Sequence, residues 1–435
     1  MNLSGWGQYP SLDAEVSIPL MDRDITGAIA YTAGHDALIA RGLGRSYGDS
    51  ALAKFVISTD SMDHFVSFDE TSGELRCQAG VSLDQILTVF VPKGWFLPVT
   101  PGTKFVTVGG AIASDVHGKN HHIDGTFTEH VSLIRIATVA EGVVDCSRSE
   151  HTELFHATCG GMGLTGVILE AVIRLRPIKS SMIEERTVKA ANIDETVAIF
   201  DDNQEVTYSV AWIDCVATGR NLGRSLVMMG EHADHGGLSV HREGKLAIPF
   251  NMPGFLLNRY SVHGFNMLYY NRVGKPVTTR TVHYDGFFYP LDGIHQWNRM
   301  YGKNGFTQYQ FVLPKEAGLD GMKLILKRIV DSGMGSFLSV LKVFGPANAN
   351  YLSFPMGGYT LALDFKIVTG LFAFLDELDR ILADYGGRIY LTKDVRMSRE
   401  TFQRGYPQAD EFIQTRVRYG ADKVFNSLQS QRLGL

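Results

Sequence analysis

The chain has 435 residues, of which 46 are Gly, 41 are Lys or Arg and 46 are Asp or Glu, so the formal net charge is −5. That length allows two or three domains and a core that needs no disulfide scaffold; the four cysteines, Cys77, Cys146, Cys159 and Cys215, lack the close spacing of a zinc knuckle or redox dithiol and read as buried thiols in a reducing compartment. The mildly acidic balance, without like-charge runs, excludes a nucleic-acid surface of clustered Lys and Arg and points to a small-molecule partner.

No charged segment followed by an apolar stretch opens the chain, and no apolar run approaches the ~20 residues of a membrane span. The sequence therefore predicts neither a signal peptide nor a transmembrane helix, which leaves a cytoplasmic enzyme or one in peripheral membrane contact.

Through the first third, short strand patterns alternate with Gly-rich turns. Strands are expected over 37–40, 55–59 and 74–78, then a helix opening at Ser82 with Gln85 three residues on as a capping box. Strands over 95–99, 131–140 and 143–145 follow, the last two joined at Glu141-Gly142, then a helix over 153–158 and a long alternating strand over 166–175. Pro177 marks a domain edge. Beyond about residue 180 the glycine clusters thin and aromatics increase, and 219–305 is too poorly periodic for elements to be assigned.

The pattern then sharpens into strand 307–312, helix 319–331, strands 337–343 and 359–365, helix 371–385 and strand 388–392. This β-α-β-β-α-β order is that of a split βαβ sheet with helices on one face, the other being free to cover a ligand. Alternation places Gln308 and Gln310 on one side of their strand and Thr360 and Ala362 on one side of theirs, suited either to a pocket wall or to a solvated face. No internal sequence repeat or low-complexity tract is present.

Three glycine clusters stand out: Arg41-Gly42-Leu43-Gly44-Arg45-Ser46-Tyr47-Gly48-Asp49; the run from Pro101-Gly102-Thr103 through Thr107-Val108-Gly109-Gly110-Ala111 to His117-Gly118-Lys119-Asn120-His121-His122; and Gly160-Gly161-Met162-Gly163-Leu164-Thr165-Gly166. A dinucleotide fingerprint from Gly42 fails at Tyr47, and a P-loop ending at Gly118-Lys119 fails at Asn120. The loops still offer unencumbered N–H groups that can curl around a pyrophosphate, with hydroxyls from Ser46, Thr103, Thr107 and Thr165 beside them. Gly44-Arg45-Ser46-Tyr47-Gly48 spells a hydrolase nucleophile elbow, but Gly42-Leu43 loosens the entry and Asp49-Ser50 interrupts the exit. His117, His121 and His122 lie near Asp115, yet Gly118 and Asn120 oppose the helix that would align them on a metal, and no metal is expected.

These loops, together with Gln308-Tyr309-Gln310, residues 342–346 and residues 390–394, resemble the flavin-dependent decaprenylphosphoryl-β-D-ribose 2′-oxidases. Those enzymes are the oxidative half of 2′-epimerases and belong to the vanillyl-alcohol-oxidase, or PCMH, type of FAD proteins. The similarity covers nearly the whole chain and is poorest over 219–280.

The resemblance implies an α+β, two-domain PCMH-type fold. Residues 1–178 would bind FAD, 179–387 would form an antiparallel-sheet substrate domain covering the flavin, and 388–435 would return to the FAD domain. Carried over by position, flavin contacts are Arg41, Gly42, Leu43, Gly44, Arg45 and Ser46 in the first cluster. Gly102, Thr103, Thr107, Gly110, Ala113, Ser114 and His117 follow in the second, with Gly163, Thr165, Ile168 and Tyr390 beyond. Substrate contacts are Tyr47, Lys119, Gln308, Gln310, Lys342, Thr360, Ala362 and Lys393. Lys393, Tyr47 and His117 are the expected catalytic residues, Lys393 orienting and polarising the hydroxyl and, once desolvated, able to act as a base.

The implied activity is oxidation of the 2′-hydroxyl of a polyprenylphosphoryl-ribose to a ketone, with a separate NAD(P)H-dependent keto-reductase completing a ribose-to-arabinose epimerisation for cell-wall synthesis. The alternative is an alditol or aldonolactone oxidase using a soluble sugar. By resemblance the protein would be membrane-associated or periplasmic, with the apolar stretch 249–270 as a lipid-side loop. Arg45 stands where several covalent-flavin relatives carry histidine, so FAD is expected to be non-covalent. Some members have cysteine and asparagine where this chain has Ala362 and Thr360, and tyrosine where it has Phe288; a cysteine-directed inhibitor would find no target here.

Overall fold

The structure is a computed structural model and describes every residue except 33–36, 243 and 245. Near the N-terminus, β-branched and aromatic runs form a small parallel sheet in the order Glu15–Ser17, Phe55–Ser58, Leu38–Arg41, and helix Asp22–Thr32 packs Ile25 and Ile29 beneath it. A five-stranded antiparallel sheet follows, ordered Val143–Cys146, Val131–Ala137, Val167–Arg174, Glu74–Gln78, Phe65–Asp69. Its inner face, with Leu75, Ile134 and Ile173, buries Ile86, Phe90 and Ile112 of helices Leu83–Phe90 and Val108–Ala113. Both helices start on side-chain caps: Ser82 and Gln85 make the expected reciprocal capping box, and Thr107 Oγ1 accepts the Gly110 N–H at 3.1 Å. The four cysteines are free and buried.

The rest of the chain builds one eight-stranded antiparallel sheet, ordered Val277–His283, Met182–Ala190, Ser225–His232, Tyr208–Ile213, Ser339–Phe344, Gly358–Lys366, Phe306–Pro314, Arg388–Ile389. The second half has the expected β-α-β-β-α-β connectivity, with helices Lys315–Ser332 and Leu371–Asp384. The first half repeats it with helices Ile193–Asp201 and Arg259–Asn271, and each half runs in spatial order 4-1-3-2, joined edge to edge through the second strand of each. This repeat of topology has no counterpart in the sequence. Ile193–Asp201, Lys315–Ser332 and Leu371–Asp384 cover one face, burying Phe200, Ile325 and Leu378 against Ala211, Tyr309, Phe311 and Leu363.

Several expectations change. The segment 219–305 is not structureless: it contains Ser225–His232, Arg259–Asn271 and Val277–His283. The expected strand over 388–392 stops at Ile389, because Tyr390 N–H still bonds Gln310 but Thr392 C=O turns away to accept Tyr47 N–H at 3.0 Å; Leu391–Lys393 is a 3-10 turn. The strands expected over 131–140 and 95–99 are Val131–Ala137 and Trp95–Phe96, and the helix expected to open at 319 opens at Lys315, directly after Pro314.

Both ends of the chain are tied to these layers. Trp6 N–H bonds Ser46 C=O, and Gly7 C=O accepts Phe306 N–H. At the other end Leu38 N–H donates to Val424 C=O and Leu38 C=O accepts Asn426 N–H, bracketing Phe425, and Arg432 pairs with Asp49 and Asp394, each at 2.9 Å. Among the described residues no helix is long and apolar enough to cross a membrane.

Candidate active site

The face of the large sheet opposite helices Ile193–Asp201, Lys315–Ser332 and Leu371–Asp384 turns toward the glycine loops, and between them lies a cleft of about 440 Å³. All three glycine clusters reach it. Its floor carries Gly42, Gly44, Gly102, Gly110 and Gly163, and its roof is formed by sheet residues such as Val210, Val340, Gln308 and Gln310.

The loops are glycine-rich for identifiable reasons. Gly44 and Gly163 have φ of 65° and 76°, in the left-handed region that side chains disfavour. A Cβ on Gly42 would lie 2.4 Å from Thr107 Oγ1, so the first loop sits directly on the helix cap of the second. A Cβ on Gly102 would meet nothing within 4 Å and would project into open space. Bare backbone facing a cleft suits a ligand that must approach the main chain closely.

The expected residues distribute as follows. Arg41, Leu43, Arg45, Ser46 and Tyr47 from the first cluster line the cleft, as do Thr103, Thr107, Ala113, Ser114, His117 and Lys119 from the second. Ile168, Tyr390, Lys393, Lys342 and Ala362 complete that wall. Two stand off it. Thr165 is buried with its hydroxyl paired to Thr158 Oγ1 at 3.0 Å, and Thr360 lies behind Gln310, whose amide reaches its hydroxyl at 3.4 Å. The nearby histidines diverge: His121 Nδ1 accepts Gly345 N–H, His122 Nε2 bonds Val206 C=O, and His117 meets Gln310. Among the described residues no group of three or more His, Cys, Asp or Glu is placed to hold a metal.

Sheet register gathers the reactive groups. Gln310 lies opposite Ala362 and Gln308 opposite Asp364, so alternation puts all four on the cleft side. Gln308 Nε2 donates to Asp364 Oδ1 at 2.6 Å and Tyr301 OH donates to Oδ2 at 3.0 Å. Lys393, delivered by the 3-10 turn, places Nζ 3.7 Å from the centre of the Tyr47 ring. Burial pushes the Asp364 carboxyl up and the Lys393 ammonium down, and their mutual attraction opposes both shifts. Burial lowers Lys119 to about 7 and Lys342 to about 8. Three desolvated amines therefore face one cleft. An anionic ligand would relieve that cost, because it favours the charged form of each.

His117 supplies the clearest mark of a missing ligand atom. Gln310 Nε2 sits 2.9 Å from His117 Nε2 and donates to it, which leaves the proton on Nδ1. That Nδ1 is buried with no protein partner, although burial, first of all, and the nearby lysines hold the ring neutral. An unpartnered buried donor is costly unless a ligand acceptor meets it. Together with the bare Gly102 backbone, this donor fits a flavin, whose ring offers carbonyl and nitrogen acceptors and whose pyrophosphate suits the N–H groups of the loops.

Some residues at the cleft escaped the sequence reading. Asp364 follows Thr360 and Ala362 at the same alternation and could have been found by extending it by two residues. Asp292 accepts the Lys104 N–H at 2.9 Å and is raised by burial, but it lies in the poorly periodic middle. Trp6 packs 4.1 Å from the Arg45 guanidinium, with Phe105 at 5.3 Å on the same group. At the rim, Arg280 makes a forked pair with buried Glu185, its Nη2 2.8 Å from Oε1, and Arg272 stacks 3.8 Å over Tyr269.

A family model described as an FAD binding domain matches residues 19–147, which include the first two glycine clusters. The chain is 39% identical to the decaprenylphosphoryl-β-D-ribose oxidase of Mycolicibacterium smegmatis, over all of this chain and 97% of that protein. The chain belongs to the decaprenylphosphoryl-β-D-ribose oxidase family. It is also 32% identical to an uncharacterized protein from the mprA 5′ region of Streptomyces coelicolor, over 82% of this chain and all of that one. Similarity to a putative D-arabinono-1,4-lactone oxidase of Neurospora crassa is 25%, confined to 31% of this chain and 24% of that one. The chain is thus an FAD-dependent oxidoreductase with an α+β fold and a PCMH-type FAD-binding domain.

Proposed function

We propose that the enzyme oxidises the 2′-hydroxyl of a polyprenylphosphoryl-β-D-ribose to the 2′-ketone. The observation that carries this reading is the Lys393 amine, buried against Tyr47 beside Asp364 on a cleft whose opposite wall is the glycine cradle. In this reading residues 1–178 hold FAD, 179–387 cover it, and 388–435 return to deliver Lys393. Gln308, Gln310 and Tyr47 orient the sugar, and Lys119 and Lys342 meet its anionic portion. Lys393 Nζ, whose pKa burial lowers, takes the hydroxyl proton in its neutral form. Bound FAD supplies the acceptor for the hydride from the same carbon. Tyr47, pushed well above its ordinary value by burial and Asp364, stays protonated and serves as a hydrogen-bond donor.

Lys119 and Lys342, two desolvated amines on the cleft, favour a phosphorylated substrate over a neutral alditol or aldonolactone. Anaerobic mixing with a panel of sugars tests this: polyprenylphosphoryl-ribose should bleach the flavin, whereas bleaching by free alditols or aldonolactones alone would transfer the assignment to the soluble-sugar class. A distinct NAD(P)H-dependent reductase would consume the ketone.

Two further outcomes follow. As the neutral amine is the active form and burial depresses its pKa, the rate of flavin bleaching should rise with pH through the neutral range and level off well below the ordinary lysine value. A rate that fell with pH over that range would remove Lys393 as base. FAD should be non-covalent, since Arg45 fills its slot between Trp6 and Phe105 and, among the described residues, no cysteine lines the cleft. Acid precipitation should release all of the flavin; colour in the pellet would contradict this.

A further inference from the structure

Helix Arg259–Asn271 is inside out. Its inward side carries Val262 and Asn266, the latter fully buried and donating from Nδ2 to Asp214 Oδ1 at 2.8 Å. Its outward side carries Tyr260, Met267 and Leu268, spaced seven and eight residues apart and therefore on one face. Tyr260 is 79% exposed and Leu268 71%, and Phe255, just before the helix, is 74% exposed. Leu246, Phe250, Leu256, Phe265 and Val277 extend the same run. Nine of the 22 exposed large apolar residues among those described fall within residues 246–277. A patch of this kind marks an interaction surface.

Its charge identifies the partner. From Gly244 to Tyr284 the sequence has no Asp or Glu, although the chain-wide frequency, 46 in 435, would place about four there. Arg259, Arg272, Lys275 and Arg280 lie in the same stretch. Of these, Arg280 is engaged with Glu185 and Arg272 stacks on Tyr269, leaving Arg259 exposed at the start of the helix and Lys275 exposed just beyond its end. Exposed aromatic and aliphatic side chains flanked by cations are the composition of a surface that lies in the interface of an anionic bilayer. The patch is also continuous with the cleft. Phe265 stacks on Tyr269 at 5.7 Å, and Tyr269 and Arg272 line the cleft rim.

We infer that residues 246–277 form a monotopic docking surface for anionic membranes, which sets the rim of the cleft on the lipid. The surface stands on exposure and charge alone; only its use, delivery of a lipid-linked sugar without extracting its chain into water, rests on the proposed function. Phe255, Tyr260 and Leu268 enter the headgroup region, and Arg259 and Lys275 face lipid phosphates.

The test is co-sedimentation of the FAD-loaded protein with vesicles of phosphatidylcholine, alone or with about a quarter phosphatidylglycerol. The protein should pellet with the anionic vesicles, far less with the neutral ones, and less as salt is raised. The triple variant Phe255→Ser/Tyr260→Ser/Leu268→Ser and the double variant Arg259→Glu/Lys275→Glu should each bind at least about tenfold more weakly. Both should keep their flavin absorbance, their melting temperature and the normal rate of bleaching by a short-chain, water-soluble prenylphosphoryl-ribose. Absence of binding to anionic vesicles, or equal binding by the parent and triple variant, overturns the inference. So does a parent protein that sediments as a dimer and a triple variant that sediments as a monomer, because the patch would then be covered by a second copy. Failure of the soluble substrate to bleach the parent protein's flavin would count against the oxidase reading and leave the vesicle result unaffected.

Discussion

Lys393→Ala is expected to slow bleaching of the flavin by its sugar substrate by about a thousandfold, within the range of a lost positioned acid–base group, while FAD stays bound. The size follows from the surroundings of the amine. Nζ rests on the face of the Tyr47 ring, and Asp364, which is occupied by Gln308 and Tyr301, does not approach it closely enough to form an ion pair. No second base stands ready: both Asp364 oxygens already accept hydrogen bonds, from Gln308 and Tyr301, and Lys119 is engaged with the Phe287 carbonyl. Lys393→Arg should not restore the rate, since guanidinium does not release its proton. Loss of activity by unfolding is separable from this effect. A buried amine without an ion-pair partner costs stability, so Lys393→Met should melt no lower than the parent enzyme. An unimpaired rate in Lys393→Ala would remove the residue from the chemistry.

Gly102→Phe is expected to weaken FAD binding by at least about a hundredfold, close to 3 kcal/mol, without disturbing the fold. At several glycines of the chain a new side chain would strike backbone; at Gly48, for example, it would lie 1.9 Å from Asp394 O, and a lost cofactor could then be blamed on misfolding. Gly102 differs because it lines the cleft and its Cβ would meet no protein atom within 4 Å. The phenyl ring would occupy cofactor space while leaving protein contacts alone. Gly27→Phe is the matched control, also free of contacts but placed on helix Asp22–Thr32, and it should keep a full complement of flavin. Equal flavin content in the two variants would show that the glycine cradle is not the cofactor site.

The glycine loops were legible because their chemistry demands a residue type: a left-handed turn at Gly44 or a bare backbone at Gly102 leaves little choice of side chain. The second half of the large sheet was legible because its helices keep a clean apolar stripe and its strands alternate, so Gln308 and Gln310 could be paired on one face before any geometry was known. The first half was not. Tyr208–Ile213 is buried along its whole length and shows no alternation. Val277–His283, an edge strand, is mostly polar and exposed, and Arg259–Asn271 turns its apolar residues outward, reversing the pattern that marks a surface helix. Lys393 was found, but on a strand that ends sooner than expected, because the first glycine loop claims the Thr392 carbonyl. Asp292 and the Arg280–Glu185 pair gave no signal, since partners 95 or more positions apart meet only through the fold.

The most direct measurement is anaerobic flavin bleaching with polyprenylphosphoryl-ribose carrying deuterium at C2′, set beside the same compound deuterated at C3′. Hydride loss from the carbon whose hydroxyl faces Lys393 should make the C2′-deuterated substrate severalfold slower, leave the C3′-deuterated one at the normal rate and yield the 2′-ketone. An isotope effect at C3′ with none at C2′, or bleaching that gives no 2′-keto product, would contradict the assignment of this cleft.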